Sequence, residues 1–181
     1  SPDRRQAVVG SLGGDAALLD VNDGTAVDLV HHEMGVLSAA WSGDGNRVAV
    51  GGQDGQVRIY DRDGVERGVI ATAAWVQSMA WSREATVLAV GTGRHLYITD
   101  HDGVVLHDFD DHPSSVTAVA WAPDGSRVGA TAYGGIAWYD IVGKRSGRQR
   151  RFDWKGSLLA LELSPDGKWA CAGAQDATVH L

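Results

Sequence analysis

The sequence predicts an all-β protein built from a repeated unit of short strands, and two observations carry that prediction. The stretches VLSAAWSGDG, VQSMAWSREA, VTAVAWAPDG and LLALELSPDG align on Trp41, Trp81, Trp121 and Leu163, which lie 40, 40 and 42 residues apart. Asp-Gly occurs seven times between short apolar runs, beginning at Asp23, Asp44, Asp54, Asp63, Asp102, Asp124 and Asp166. Glycine tolerates the positive φ of a tight hairpin turn, so Asp-Gly between apolar runs signals hairpins. No segment sustains a three-to-four-residue apolar period over ten or more residues, which argues against amphipathic helices.

Each element of the unit follows from its residues. The anchored strands (VLSAAW, VQSMAW, VTAVAW) are mostly small and apolar on both faces, as expected of an innermost strand packed between neighbours. A second apolar run follows each (RVAVGG, VLAVGT, RVGATA, WACAGA), then a third (VRIYD, LYITD, IAWYD, VHL). The fourth runs (VVLHDFDD, GRQRRFDW) are polar, as expected of an outer edge whose charges discourage sheet-to-sheet association. The chain opens inside the same pattern, with Asp20 in the place of Asp61, Asp100 and Asp140. Short strands in fours at a period of about 40 residues suit a β-propeller of radial four-stranded antiparallel blades. The count is three strands, three complete units and three strands, or about four and a half blades. Residues 1–31 form a partial first blade, 32–71, 72–111 and 112–153 complete blades, and 154–181 a partial last blade. The expected object is a single open arc, a segment of a longer protein that supplies the missing blades.

Composition bounds the function. The 181 residues are 44% hydrophobic and 22% charged, which is globular rather than disordered. The single cysteine, Cys171, cannot form an internal disulfide, and no apolar run is long enough for a membrane helix, so a cytoplasmic protein is expected. The net charge of −7 argues against a general nucleic-acid or anionic-membrane binder. Residues 144–155 are the exception, with six basic side chains and one acid, so that the rest of the chain carries −12.

The unit resembles the WD-repeat (WD40) β-propellers over essentially the whole chain. In that family a His before the inner strand, a hydroxyl on the second strand, an Asp in the second turn and a Trp closing the third strand form a hydrogen-bonded network. The resemblance places His32 and His112, nine residues before their anchors, at the His position. Asp54 and Asp176, thirteen residues after theirs, take the Asp position, and Tyr60 and Tyr139 the Trp position. The pattern is degenerate: Val50 stands where the hydroxyl belongs, and Thr72 and Trp154 replace His. This network is expected to be a structural pin.

No motif points to catalysis or a cofactor. DHDGVVLHDFDDH (100–112) fails a calcium loop because Val104 and Asp111 occupy two ligand positions, so it reads as a solvated outer strand. The adjacent pair His31-His32 lacks the four-residue helical spacing of a zinc protease. Among the inner strands Glu162 is the odd residue, because its counterparts are Ala40, Ala80 and Ala120. It either reaches channel water or contacts a ligand at the propeller axis. Met34, Trp75, Arg94, Tyr133 and Trp154 fall on connections that the resemblance puts on one face, although Trp154 has the alternative of packing under its loop and Trp75 of packing against the neighbouring blade. Arg148, Arg150 and Arg151 either guard an outer edge or meet an acidic partner. The expected function is a non-enzymatic scaffold that binds other proteins and needs no cofactor, nucleic acid or membrane. The alternatives are a channel enzyme or small-molecule binder using Glu162, and an anion-binding module using residues 144–155.

Overall fold

The computed structural model describes residues 1–142 and 145–181, and all side chains except those of 142–149. The first sheet has three antiparallel strands, β1 (Gln6–Gly10), β2 (Ala16–Asp20) and β3 (Ala26–Asp28). The second has four, β4 (Val36–Trp41), β5 (Arg47–Gly52), β6 (Gln56–Asp61) and β7 (Glu66–Ala71), and the third repeats it with β8 (Val76–Trp81), β9 (Val87–Thr92), β10 (His95–Asp100) and β11 (Val105–Phe109). The remaining strands are β12 (Ala118–Trp121), β13 (Arg127–Val142), β14 (Arg145–Leu163), β15 (Ala170–Ala174) and β16 (Val179–His180), joined as one continuous ladder.

That ladder contains two units. A straight strand of sixteen residues would span about 50 Å, yet the Ile141 N–H donates to the Ser126 carbonyl at 2.8 Å. Strand β13 therefore doubles back, through Tyr133-Gly134-Gly135, where the glycines take φ of +93° and +132°. Strand β14 pairs with the returning arm of β13 over Arg145 to Asp153, and with β15 over Leu158 to Leu163. In between, Gly156 (φ +130°) lets it leave one unit as its outer strand and enter the next as its inner strand. The resulting sequence of three, four, four, four and three strands is a partial β-propeller. Strands β1 and β16 lie in different sheets.

The turns form for the reasons their composition suggests. All seven Asp-Gly glycines have positive φ, between +69° and +90°. The aspartate that ends a third strand caps the turn after it. Asp61 Oδ1 accepts the amides of Asp63 and Val65 at 3.0 and 2.9 Å, and Asp100 Oδ1 those of Asp102 and Val104 at 3.0 and 2.8 Å.

Two repeated contacts join neighbouring sheets. The first is a close approach: a Cβ added at Gly10, Gly51 or Gly91 would stand 2.5, 2.5 or 2.7 Å from Cγ1 of Val36, Val76 or Val116. Only glycine on the second strand lets the next inner strand come this near. The second is a polar clasp, in which Trp81 Nε1 donates to the Ala40 carbonyl at 3.1 Å and Trp121 Nε1 to Ala80 at 2.9 Å. Both indoles are more than nine-tenths buried. Trp41 differs: its sheet faces β1, which has no inner strand beside it, and the buried Nε1 has no acceptor among the described residues. At the last seam Leu163 replaces the indole.

Breaking a clasp removes a second hydrogen bond from a carbonyl that faces its own sheet's ladder at the Ala40–Ala49 or Ala80–Ala89 pair, at a cost of about 0.5–1.5 kcal/mol. We expect Trp81→Phe and Trp121→Phe each to lower the free energy of unfolding in that range, and Trp41→Phe to lower it distinctly less. Denaturant titration of the three variants measures the difference.

Candidate functional site

The links that carry the chain from one sheet to the next gather at one end of the sheets, where hydrogen bonds tie them to turns between second and third strands, either of the sheet entered (Gln53 and Gln175) or of the sheet left (Val116). The Gln53 amide donates to the Gly35 carbonyl at 2.8 Å, Val116 to Gly93 at 2.6 Å, and Gln175 to Ser157 at 3.0 Å. In the unit that begins with β12 the turn amide of Tyr133 donates in the same direction, but to the link's Ser114 side chain, Oγ, at 2.8 Å. The next sheet's link can also reach back: the Thr72 amide donates to Gly55 at 2.7 Å.

The side-chain pins lie within this frame. His32 is fully buried, and its Nδ1 lies 2.9 and 3.1 Å from the Asp54 carboxylate oxygens. The Gln56 amide donates to Asp54 Oδ1 at 3.0 Å. Burial opposes the Asp54 charge, but the Gln56 and His32 hydrogen bonds and the His32 charge together hold its pKa below the usual carboxylate value. Tyr60 does not complete the network as expected, because His32 Nε2 has no hydrogen-bond partner among the described residues. Tyr60 instead packs in the apolar core with Leu18, Val48 and Val50, where burial pushes its phenol up to about 12.

The other units solve the same problem with different atoms. Thr72, in the place of His, puts Oγ1 2.8 Å from both the Gly55 and Ala74 carbonyls, and Thr92 Oγ1 lies 3.1 Å from Thr72 Oγ1 and 2.7 Å from Ala74 O. His112 is 2% exposed. Its Nε2 lies 3.2 Å from the Tyr139 hydroxyl, which also donates to Asp111 Oδ1 at 3.2 Å. A mutual clasp with Arg94 holds the other side: His112 Nδ1 lies 3.1 Å from the Arg94 carbonyl, and Arg94 Nε donates to the His112 carbonyl at 2.5 Å. Arg94, expected at an interaction surface, thus holds a link in place, although its side chain remains exposed. Asp111 and Thr92 were not legible as pin residues, since neither occupies the family's positions.

Asp176 does not join a pin, because Trp154 stands where its His would be. It is exposed and caps its own turn through the Thr178 amide at 3.1 Å and hydroxyl at 2.5 Å. Trp154 is half-buried against the core of the last sheet, its ring centroid 3.8 Å from that of His180. It is packed rather than free. Trp75, Tyr133 and Met34 remain on the surface, at 50%, 57% and 47% exposure.

Glu162 is exposed and lines a concavity of about 730 Å³ formed by the inner strands, with Ser78, Thr117 and the alanines around it. No second acid lines that space, so it offers no acid–base pair. On the outer edge Arg150 is exposed and Arg151 pairs with Asp153 at 3.1 Å. The Arg148 side chain lies outside the described residues.

His112 makes a pH prediction with a definite sign. Burial, the main cause, lowers its pKa below the ordinary histidine value, while the Arg94 carbonyl and the Asp111 charge pull the other way. The unfolded chain therefore binds the proton more readily. The stability tied to neutral His112 is fully present above about pH 6.5 and is lost as pH falls from there through the lowered folded value. His112→Gln should flatten the stability profile between about pH 7 and pH 5, read by denaturant titration at each pH. The Asp54 contribution is present above the ordinary carboxylate pKa and is lost only at lower pH still.

Comparison with known proteins gives the family. The family model described as WD domain, G-beta repeat matches residues 25–61, 103–137 and 148–181. The chain is 24% identical over 196 residues to the mouse intraflagellar transport protein 80 homolog, covering 83% of this chain and 25% of that protein. It is 30% identical over 115 residues to Arabidopsis thaliana cell division cycle 20.5, cofactor of APC complex, covering 57% and 25%. The chain thus spans about a quarter of the length of these relatives. A solved structure, the crystal structure of the mitotic checkpoint complex, superposes with a TM-score of 0.86 at 24% identity, covering 97% of this chain and 60% of that one. Among the described residues no helix is long and apolar enough to cross a membrane. With more than half of the chain matched by the family model, the protein belongs to the WD-repeat (WD40) family.

Proposed function

We propose that the protein is a non-catalytic scaffold of the cytoplasm that binds other proteins through the end of its sheets where the links gather. The observation that carries this reading is the exposure of Trp75 and Met34 on links, and of Tyr133 on the turn beside one, held together by hydrogen bonds. Large aromatic side chains on preformed surfaces are the usual anchors of protein interfaces, and a rigid surface pays little ordering cost on binding. The relatives agree in kind, since one is named for intraflagellar transport, another as a cofactor of a complex, and the structural neighbour is itself a complex. The channel reading is weaker, because Glu162 has no second acid beside it. In the edge reading, Arg150 and Arg151 steer an acidic partner, which sets association rate and its salt dependence more than affinity.

Site-specific photo-crosslinking tests the assignment. A photoreactive residue at position 75 or 133 should give discrete protein adducts in the native host, and one at position 44 or 166, on turns at the other end of the sheets, should give none. Equal adducts from both ends, or none from 75 and 133, would reject the proposed surface. The double variant Trp75→Ala/Tyr133→Ala should abolish adducts from a probe at position 34, with the free energy of unfolding changed by less than about 0.5 kcal/mol per site, as for exposed sites.

A further inference from the structure

Gln6 at the start of β1, Arg47 at the start of β5 and Arg127 at the start of β13 hold one place in the repeat. The first two reach across a seam to the Asp-Gly turn that follows the third strand of the next unit. Gln6 Nε2 donates to the Arg62 carbonyl at 3.0 Å, and the Arg47 guanidinium lies 3.6 Å from Asp102 Oδ1. Both turns seat closely on the sheet before them. A Cβ added at Gly64 would stand 2.8 Å from Val27 Cγ1, and one at Gly103 3.2 Å from Ile70 Cγ1. At Gly68 an added Cβ would overlap the Asp102 carbonyl itself. Arg127 differs: among the described residues no hydrogen bond or ion pair engages its side chain. Asp124 on the preceding turn is near enough to feel its charge but not to pair with it.

Arg127 opens onto a pocket of about 150 Å³ at the end of the sheets opposite the links. Trp138, Arg150, Lys168 and Trp169 line it with Arg127, and the rest of the lining is alanine, leucine and glycine. None of these side chains carries a hydrogen-bond acceptor, and three are cations. Only Lys168 has a partner, Asp166 at 3.6 Å. Two departures from the repeat shape the space. Gly129 stands where Ala49 and Ala89 do, and an added Cβ there would lie 2.8 Å from Cζ3 of Trp138, so the missing Cβ lets the indole lie on the strand. Arg150 faces Trp138 across the ladder as Gly68 faces Ile59. A turn arriving here meets a guanidinium where Asp102 meets a bare glycine.

Resting on the edge reading of Arg150 above, we propose that this pocket seats an acidic Asp-Gly turn of the same polypeptide, from a segment outside these 181 residues, with its carboxylate paired to Arg127 and Arg150. Three observations choose this occupant. The two counterpart sites are filled by Asp-Gly turns of the unit that follows. The side chains here offer donors and positive charge alone, which an aspartate complements and a neutral turn does not. The matched relatives are about four times as long as this chain, so polypeptide of this kind surrounds the equivalent region in them. The clamp replaces close approach: where Gly68 lets a turn come down on the strand, Arg150 holds one by its charge. Because the turn belongs to the same polypeptide, this end of the sheets still gives no adduct with another protein.

The turn that fills the counterpart site supplies the probe. A backbone-cyclised peptide of residues 98–106 (ITDHDGVVL) is titrated into the chain, and the indole N–H resonances of Trp138 and Trp169 are followed by NMR. Both should shift, and binding should weaken as salt is raised. Arg127→Gln and Arg150→Gln should each weaken it by about three- to tenfold with unfolding midpoints unchanged. Asp102→Asn in the peptide should do the same, and Asp102→Arg in the peptide should restore binding to Arg127→Asp in the chain. Equal binding of the Asp102→Asn peptide, indifference to both arginines, or tighter binding of inorganic phosphate than of the peptide would overturn the proposal. Dependence on Arg151, which lies outside the pocket, in place of Arg127 would keep the edge reading and reject the pocket. A photoreactive residue at position 169 that captures another protein, or a second copy, in the native host would reject the intramolecular source.

Discussion

Everything in this structure depends on how closely one sheet can approach the next. A propeller sheet has no hydrophobic layer of its own above or below it, and buries its faces only against its two neighbours. The approach is set where the second strand of one unit meets the inner strand of the next. There Gly10, Gly51 and Gly91 leave room for Val36, Val76 and Val116. Once the strands are that near, the tryptophan at the end of the inner strand reaches the alanine carbonyl of the preceding unit, as Trp81 and Trp121 do. Packing and hydrogen bonding at the seam are therefore one constraint. The seam at Leu163 lacks the indole and uses other means, with Thr117 Oγ1 lying 2.9 Å from Thr131 Oγ1 and 2.5 Å from the Leu158 carbonyl.

A second constraint works at the link end. Each link must cross from the outer edge of one sheet to the inner edge of the next, and its backbone groups would be left unpaired without local partners. The chain meets this demand with a different set of atoms in each unit: His32 with Asp54, Thr72 with Thr92, and His112 with Tyr139, Asp111 and Arg94. In the last sheet Trp154 packs against the His180 ring at a tilt instead. The chemistry varies because the requirement is only to hold a link against a turn, and several donor–acceptor pairs of similar reach do that.

The proposed docking surface is what remains after these demands are met. Asp54, His112 and Arg94 look like site residues by type, yet each is spent on the frame. Side chains that the frame does not need, above all Trp75 and Tyr133, stay exposed on rigid supports. A preformed surface of this kind would bind a partner at low ordering cost.

The sequence by itself determined the architecture. The 40-residue spacing of Trp41, Trp81 and Trp121, the Asp-Gly turns and the alternation of apolar runs are local signals, because turn conformation and strand burial act over a few residues. The partnership of His32 with Asp54 was legible too, since both positions are set by spacing within one unit. What only the tertiary structure decided was the fate of side chains whose partners lie in other strands. Trp75 and Trp154 sit on equivalent kinds of link, but Trp154 finds the His180 ring beneath it and Trp75 meets a groove. Tyr60 and Tyr139 share a position in the repeat, but only Tyr139 has Asp111 and His112 within reach, while Tyr60 is enclosed by aliphatic neighbours. Asp176 matched the pattern of Asp54 and capped only its own turn, for want of a histidine opposite. A repeat specifies where a side chain starts, and the packing of neighbouring sheets decides what it can touch.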